Sequence, residues 1–113
     1  MKIKTSELTG AALDWAVAKC EEPVGGYKAW VQADMDKGIV PAGVRANDWL
    51  TVGPIIERES IGIGRSWEGS EWLASAHDMD APVSYGPTPL VAAMRCHVAS
   101  KLGDEVEVPD ELI

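Results

Sequence analysis

The chain has 113 residues, 46% of them hydrophobic, enough for one compact domain with its own core and too few for two ordinary ones. Against 10 Lys and Arg stand 18 Asp and Glu, a formal net charge of -8, which disfavours a sequence-specific reader of DNA or RNA because such modules draw affinity from a basic stripe on phosphates. No apolar run approaches the roughly 20 residues of a membrane span, and the opening MKIKTSELTG holds no continuous apolar segment, so neither a membrane protein nor a secretory signal is expected.

In chain order, a short strand is predicted at residues 2–5. A helix follows over residues 9–20, with Thr9 as its N-cap and Glu21-Glu22-Pro23 and Gly25-Gly26 ending it. At 100° per residue, Leu8, Ala12 and Trp15 fall on one side and Leu13, Val17 and Cys20 almost opposite, leaving Asp14 alone on the remaining edge. Such a helix is buried from both sides, and a second subunit is one way to cover the further face. Residues 23–53 are rich in Gly, Pro, Asp and Asn and read as loop with one short helical turn. Residues 52–60 (VGPIIERES) read as a strand entered through Gly53-Pro54, with Ile56 and Arg58 on one face and Ile55, Glu57 and Glu59 on the other. Residues 61–65 continue it or form a hairpin with residues 67–74, and residues 77–85 read as a polar loop. The clearest element comes last. Thr88 as N-cap and Pro89 at the first helical position open a helix that runs over residues 89–102 and stops at Gly103. Val91, Met94, Val98 and Leu102 form its apolar stripe, while Ala93, Cys96 and Ser100 on the other side are small enough for a close neighbour. Val106 and Val108 alternate into a final edge strand. The expectation is a single α+β domain over residues 1–113, a short antiparallel sheet packed with two main helices, 9–20 and 89–102.

Arg95 is the most informative charge, because it projects close to the apolar stripe of the last helix. A guanidinium there needs partners, since an unpaired buried charge is costly. Two readings stay open: a structural ion pair with Glu57 or Asp48, or an anion-binding arginine facing a pocket. The amides behind Thr88 offer a second anion feature, and Arg58 a third if its strand face points inward. Trp49, beside Asp48, joins Trp67 and Trp72 near Arg58 and Arg65, the ingredients for holding a purine ring and its phosphates. The chain has five Trp, two Tyr and no Phe, so tryptophan must also fill part of the core.

Enzyme signatures are weak. Gly62-Ile63-Gly64 lacks the third glycine of a dinucleotide-binding turn, whose place Trp67 takes, and no phosphate loop or nucleophile elbow is present. Cys96 and His97 are neighbours on a helix, pointing about 100° apart, and cannot serve each other as nucleophile and base. His77, Asp78 and Asp80 form a loop cluster that lacks a fourth metal ligand. Cys20 and Cys96 have no redox or metal spacing and read as reduced core cysteines. No metal or cofactor is expected.

The segments KTSELTGAALDWAVAKCE, the central DW followed by GPIIERE, and GPTPLVAAMRCHVASKLGDEVEVP together resemble the NinX-like proteins of lambdoid phages and prophages. The resemblance covers both ends and the middle, with the GPTPL and AAMR runs its most specific part. Where that family suggests a tandem glycine before PIIE, this chain has Val52 before Gly53, and the loop over residues 23–46 has no counterpart in it. The resemblance implies a small phage accessory protein in the cytoplasm of an infected bacterium, acting on the host. In that setting the expected function is a sponge: a homo-oligomer that binds a small anionic, nucleotide-derived signal of antiphage defence through Asp48, Trp49, Arg58, Tyr85, Thr88 and Arg95, without catalysis. Two alternatives stand beside it. One is an acidic inhibitor of a host protein or nucleic-acid mimic, although Asp34 and Asp36, Asp78 and Asp80, and residues 104–111 are dispersed. The other is a small hydrolase of a nucleotide signal, pairing Glu57 with His97.

Overall fold

The computed structural model describes residues 1–25, 44–76 and 83–112, with the side chains of 22–25 left aside. The fold is α+β. Strand β1 (Lys2–Lys4) leads through a 3-10 turn (Thr5–Glu7) into helix α1 (Gly10–Gly25); α2 (Trp49–Glu59) and the strands β2 (Gly62–Arg65), β3 (Trp72–Ser75) and β4 (Ser84–Gly86) follow. Helix α3 (Pro89–Leu102), strand β5 (Glu105–Glu107) and a 3-10 turn (Asp110–Leu112) complete the order. The strands make two antiparallel sheets, β1-β5 and β2-β3-β4. In the first, Ile3 stands opposite Val106; in the second, Gly64, Leu73 and Tyr85 form one cross-strand row and Arg65, Trp72 and Gly86 the next.

Helix α3 is the axis on which the other elements pack. Thr88 caps it, its hydroxyl accepting from the Val91 amide at 3.2 Å, Pro89 sits in its first turn, and Gly103 ends it at φ 92°. Every side chain from Ala92 to Val98 is buried, so the expected apolar stripe widens into a helix enclosed on all sides for two turns. Leu102, at the far end of that stripe, is instead exposed. The closest approach is at Gly86, where an added Cβ would lie 2.7 Å from the Ala92 amide nitrogen. Only glycine lets β4 run against the first turn of α3.

Helix α1 begins directly after Thr9 and continues past Pro23 to Gly25. The proline removes one intrahelical bond near the C-terminal end, where packing of the earlier turns outweighs the loss. Both of its apolar sides are covered within the one chain: Ala12 and Trp15 on one, Leu13, Val17 and Cys20 on the other, are all buried. The second subunit suggested for the further face is therefore not needed there. Asp14, alone on its edge, accepts the Ala46 amide at 2.7 Å and pins the chain that enters α2.

The strand expected at residues 52–60 is helix α2. Asp48 caps it, its carboxylate accepting the Leu50 amide at 2.9 Å. Val52 and Ile55, three apart, are the buried pair, and Pro54 points to solvent. Its exit is a Schellman turn built on Ser60 at φ 53°, with Ser60 donating to the Glu57 carbonyl and Ile61 to the Ile56 carbonyl. The β2–β3 hairpin and the final edge strand form as expected. Of residues 23–53, expected as loop with one helical turn, 23–25 continue α1 and 49–53 begin α2, while residues 26–43 lie outside the described residues, as do most of the polar loop 77–85, the His77, Asp78 and Asp80 cluster, and Asp34 and Asp36.

Candidate functional site

A cavity of about 470 Å³ opens between the first sheet, the second sheet and α3. Residues 4–6 and 104–105 line one side, residues 83–85 and Glu71 the other, and Arg95 and Ala99 of α3 the floor. The floor exists because α3 carries a charged residue into its most buried turn.

Arg95 is 8% exposed. Its Nε donates to the Leu8 carbonyl and its Nη1 to the Tyr85 carbonyl, both at 2.9 Å. The ion pair expected with Glu57 or Asp48 does not form; among the described residues no carboxylate lies within ion-pair distance of it. Main-chain carbonyls at the end of the first 3-10 turn and in β4 orient the guanidinium without forming an ion pair with it. Arg95 lines the cavity, and its Nη2 makes no hydrogen bond among the described residues. Desolvation holds the Arg95 pKa below its usual value, with Glu71 opposing that shift. Glu71, Asp104 and Glu105 bring three carboxylates to the cavity wall and Lys4 a second cation, so the lining is of mixed charge.

Of the six residues expected to bind, Tyr85 and Arg95 meet at this cavity and the other four do not line it. Asp48 and Thr88 are helix caps. Trp49 is exposed on the first turn of α2. Arg58 lies on α2 rather than on a strand face, and its guanidinium is held in a two-point bond by Glu21, Nη1 to Oε1 at 3.0 Å and Nη2 to Oε2 at 2.6 Å. A carboxylate already claims it, so it is no free anion site. Lys4, Ser6, Glu71, Asp104 and Glu105 were not foreseen. They come from sequence-distant segments that only the β1-β5 pairing and the second sheet bring together.

The same Glu21 reaches a third group. His97 Nε2 lies 3.2 Å from Glu21 Oε2, with the imidazole 0% exposed. An ionised carboxylate only accepts, so Nε2 carries the proton, and Nδ1 is left as a buried nitrogen with no partner among the described residues. Burial lowers the His97 pKa while Glu21 and Glu59 oppose it. Glu59 continues the chain of charges to Lys101 at 2.7 Å. The acid–base pair considered above, Glu57 with His97, is not assembled: Glu57 is exposed, and it is Glu21 that meets a histidine closed to any substrate. Cys20 and Cys96 are buried and free, and burial pushes the Cys20 thiol up to about 12. No described helix is long and apolar enough to cross a membrane.

A groove of about 390 Å³ adjoins the cavity, sharing Glu71 and Tyr85 with it and lined further by Trp67, Glu68 and Leu73. No curated protein matches the chain. The family described as bacteriophage P22 NinX matches residues 4–101, which include α1, α2, α3 up to Lys101, the second sheet and most of the cavity lining. By that match the chain belongs to the phage P22 NinX family.

Proposed function

We propose that the protein binds and sequesters a nucleotide-derived small molecule, of the cyclic-nucleotide or cyclic ADP-ribose type, in the Arg95 cavity and does not turn it over. The observation that carries this reading is a buried guanidinium held by two carbonyls, with no ion pair among the described residues, lining a cavity of about 470 Å³. That volume falls in the range of small-molecule sites. A phosphate oxygen meeting Arg95 there would be worth more than on an open surface, because less water competes. Glu71, Asp104 and Glu105 would repel a bare inorganic anion. They suit a ligand that also carries donors, as the amino groups of a base and the hydroxyls of a ribose do. Tyr85, half-exposed at the rim, supplies a ring face for the base. Membership of a phage family favours action in the cytoplasm of an infected bacterium, against its defence signalling. The reading includes a homo-oligomer.

The test is native mass spectrometry of protein purified from bacteria with active antiphage signalling, followed by titration with a panel of cyclic nucleotides. The expected result is a stoichiometric nucleotide released unchanged. Lys4→Ala and Tyr85→Ala, both at the rim, should each weaken binding about tenfold without loss of fold. Arg95→Lys, which cannot hold both carbonyls and a ligand, should abolish it. Protein that is empty and ignores the panel overturns the proposal. The second reading, an inhibitor of a host protein, is favoured by one observation, the aromatic groove beside the cavity.

A further inference from the structure

The hairpin joining β2 to β3 holds a tryptophan in open water on a fixed turn. Trp67 is fully exposed, yet the turn beneath it is closed by four bonds: Ser66 amide to Glu71 carbonyl at 2.9 Å, Gly69 amide to Ser66 carbonyl at 2.9 Å, Glu71 amide to Ser66 hydroxyl at 3.2 Å, and Arg65 Nη2 to Gly69 carbonyl at 2.6 Å. Gly69 at φ 70° is in the left-handed region that lets this turn close. Arg65 is anchored a second time, its guanidinium 5.3 Å from the Trp72 ring. An indole on so constrained a turn loses little freedom when a partner covers it.

The surface beside Trp67 is apolar and acidic. The row Gly64, Leu73 and Tyr85 faces away from α3, opposite to the face on which Ala74 and Gly86 are buried. Tyr85 and Val83 are roughly half-exposed. Tyr85 shares with Trp67 a groove that also contains Glu68 and Glu71, neither of which makes an ion pair among the described residues, and no cation is among its lining residues. Two ring faces with two uncommitted carboxylates attract a cation by the quadrupole and by charge together. The net charge of -8 adds attraction at long range and disfavours both a nucleic acid and a second copy of this acidic chain.

We propose that the Trp67–Tyr85 groove is a docking surface for a basic segment of another protein, an arginine side chain lying against Trp67 with its guanidinium between Glu68 and Glu71. The groove shares Glu71 and Tyr85 with the Arg95 cavity, but Trp67 and Glu68 do not line that cavity, so their variants test this inference apart from the nucleotide reading. The experiment titrates the whole protein with a nine-residue arginine peptide, read by calorimetry and tryptophan emission, and compares Trp67→Ala and Glu68→Gln. Saturable one-to-one binding is expected, weakened about tenfold by Trp67→Ala and severalfold by Glu68→Gln. Trp67 and Glu68 are exposed, so unchanged melting temperatures of their variants establish that the fold is intact. No binding overturns the proposal. Binding that ignores both substitutions overturns it as well, since only diffuse attraction to an acidic surface would then remain. Sedimentation showing a dimer that Trp67→Ala dissolves overturns it in favour of self-association.

Discussion

At the scale of the residue, one carboxylate decides the character of a whole region. Glu21 holds Arg58 by two bonds and His97 by one, so an arginine that looked available for anions is committed, and a histidine that burial disfavours from protonating has its Nε2 side taken. Protonating His97 would put a second N–H at Nδ1, buried and without an acceptor among the described residues. The folded protein therefore resists a proton that the unfolded chain, with its ordinary imidazole, takes up near pH 6.5. The unfolded state binds more protons in that window, so the His97 contribution to stability is complete above pH 6.5 and is lost as pH falls below it. Chemical denaturation between pH 7.5 and 5 should show a steeper loss for the natural chain than for His97→Gln. Parallel curves would overturn this role for His97, since Glu59, whose pKa Lys101 lowers from 4.5, titrates below that window. Arg95 behaves oppositely to Arg58: similar position near an apolar face, but carbonyl partners in place of a carboxylate.

Among the elements, β4 and α3 approach so closely at Gly86 that no side chain fits between them. Replacing Gly86 with alanine puts a methyl group 2.7 Å from a backbone nitrogen, an approach that no side-chain rotation relieves. Overpacking of this kind costs about 1–3 kcal/mol, and β4 also supplies the Tyr85 carbonyl that holds Arg95. Gly86→Ala should lower the urea midpoint and, if the cavity binds a nucleotide, weaken that binding although Gly86 touches no ligand. Helix α3 was legible because its start and stop are written in residue types, Thr88-Pro89 and Gly103. Helix α2 was not. Gly53-Pro54 imitates the entrance to a strand, the run Ile55 to Glu59 alternates well enough, and the left-handed exit falls on Ser60 instead of a glycine. The pair that decides the matter, Val52 and Ile55, is buried at helical spacing, which a two-residue alternation cannot distinguish over so short a run. For the cavity, the sequence reached its floor and its rim, Arg95 and Tyr85, from helix periodicity and local composition. Lys4, Asp104 and Glu105 could not be reached that way, because no local pattern relates residue 4 to residue 105.

For the molecule as a whole, the described elements are arranged around α3. The three-stranded sheet covers one side, α1 and α2 another, and the Leu8 carbonyl, just after the first 3-10 turn, accepts from Arg95 Nε. Backbone amides over the buried turns of α3, from Met94 to Val98, should therefore exchange with deuterium only through global unfolding. The edge strand β2 should exchange earlier. Equal protection across both would mean that the sheet and the helix open as one unit. The two ends of the chain are tied by β1 and β5, by the Thr5 amide to the Asp104 carbonyl at 2.7 Å and by the Thr5 hydroxyl to the Gly103 carbonyl at 2.6 Å.

That tie has a consequence for biosynthesis. β1 and α1 are synthesised well before α3, on which α1 packs, and before β5, which pairs with β1. Until those elements emerge, the nascent chain carries a helix apolar on both sides that lacks the packing α3 provides, and its order waits on contacts distant in sequence. Such a chain is exposed to chaperones and proteases longer than a protein built from local hairpins. Slow decoding within the segment just before α3 would lengthen that exposure, and a host short of chaperone capacity would lower the yield of this protein before it altered the activity of any finished molecule.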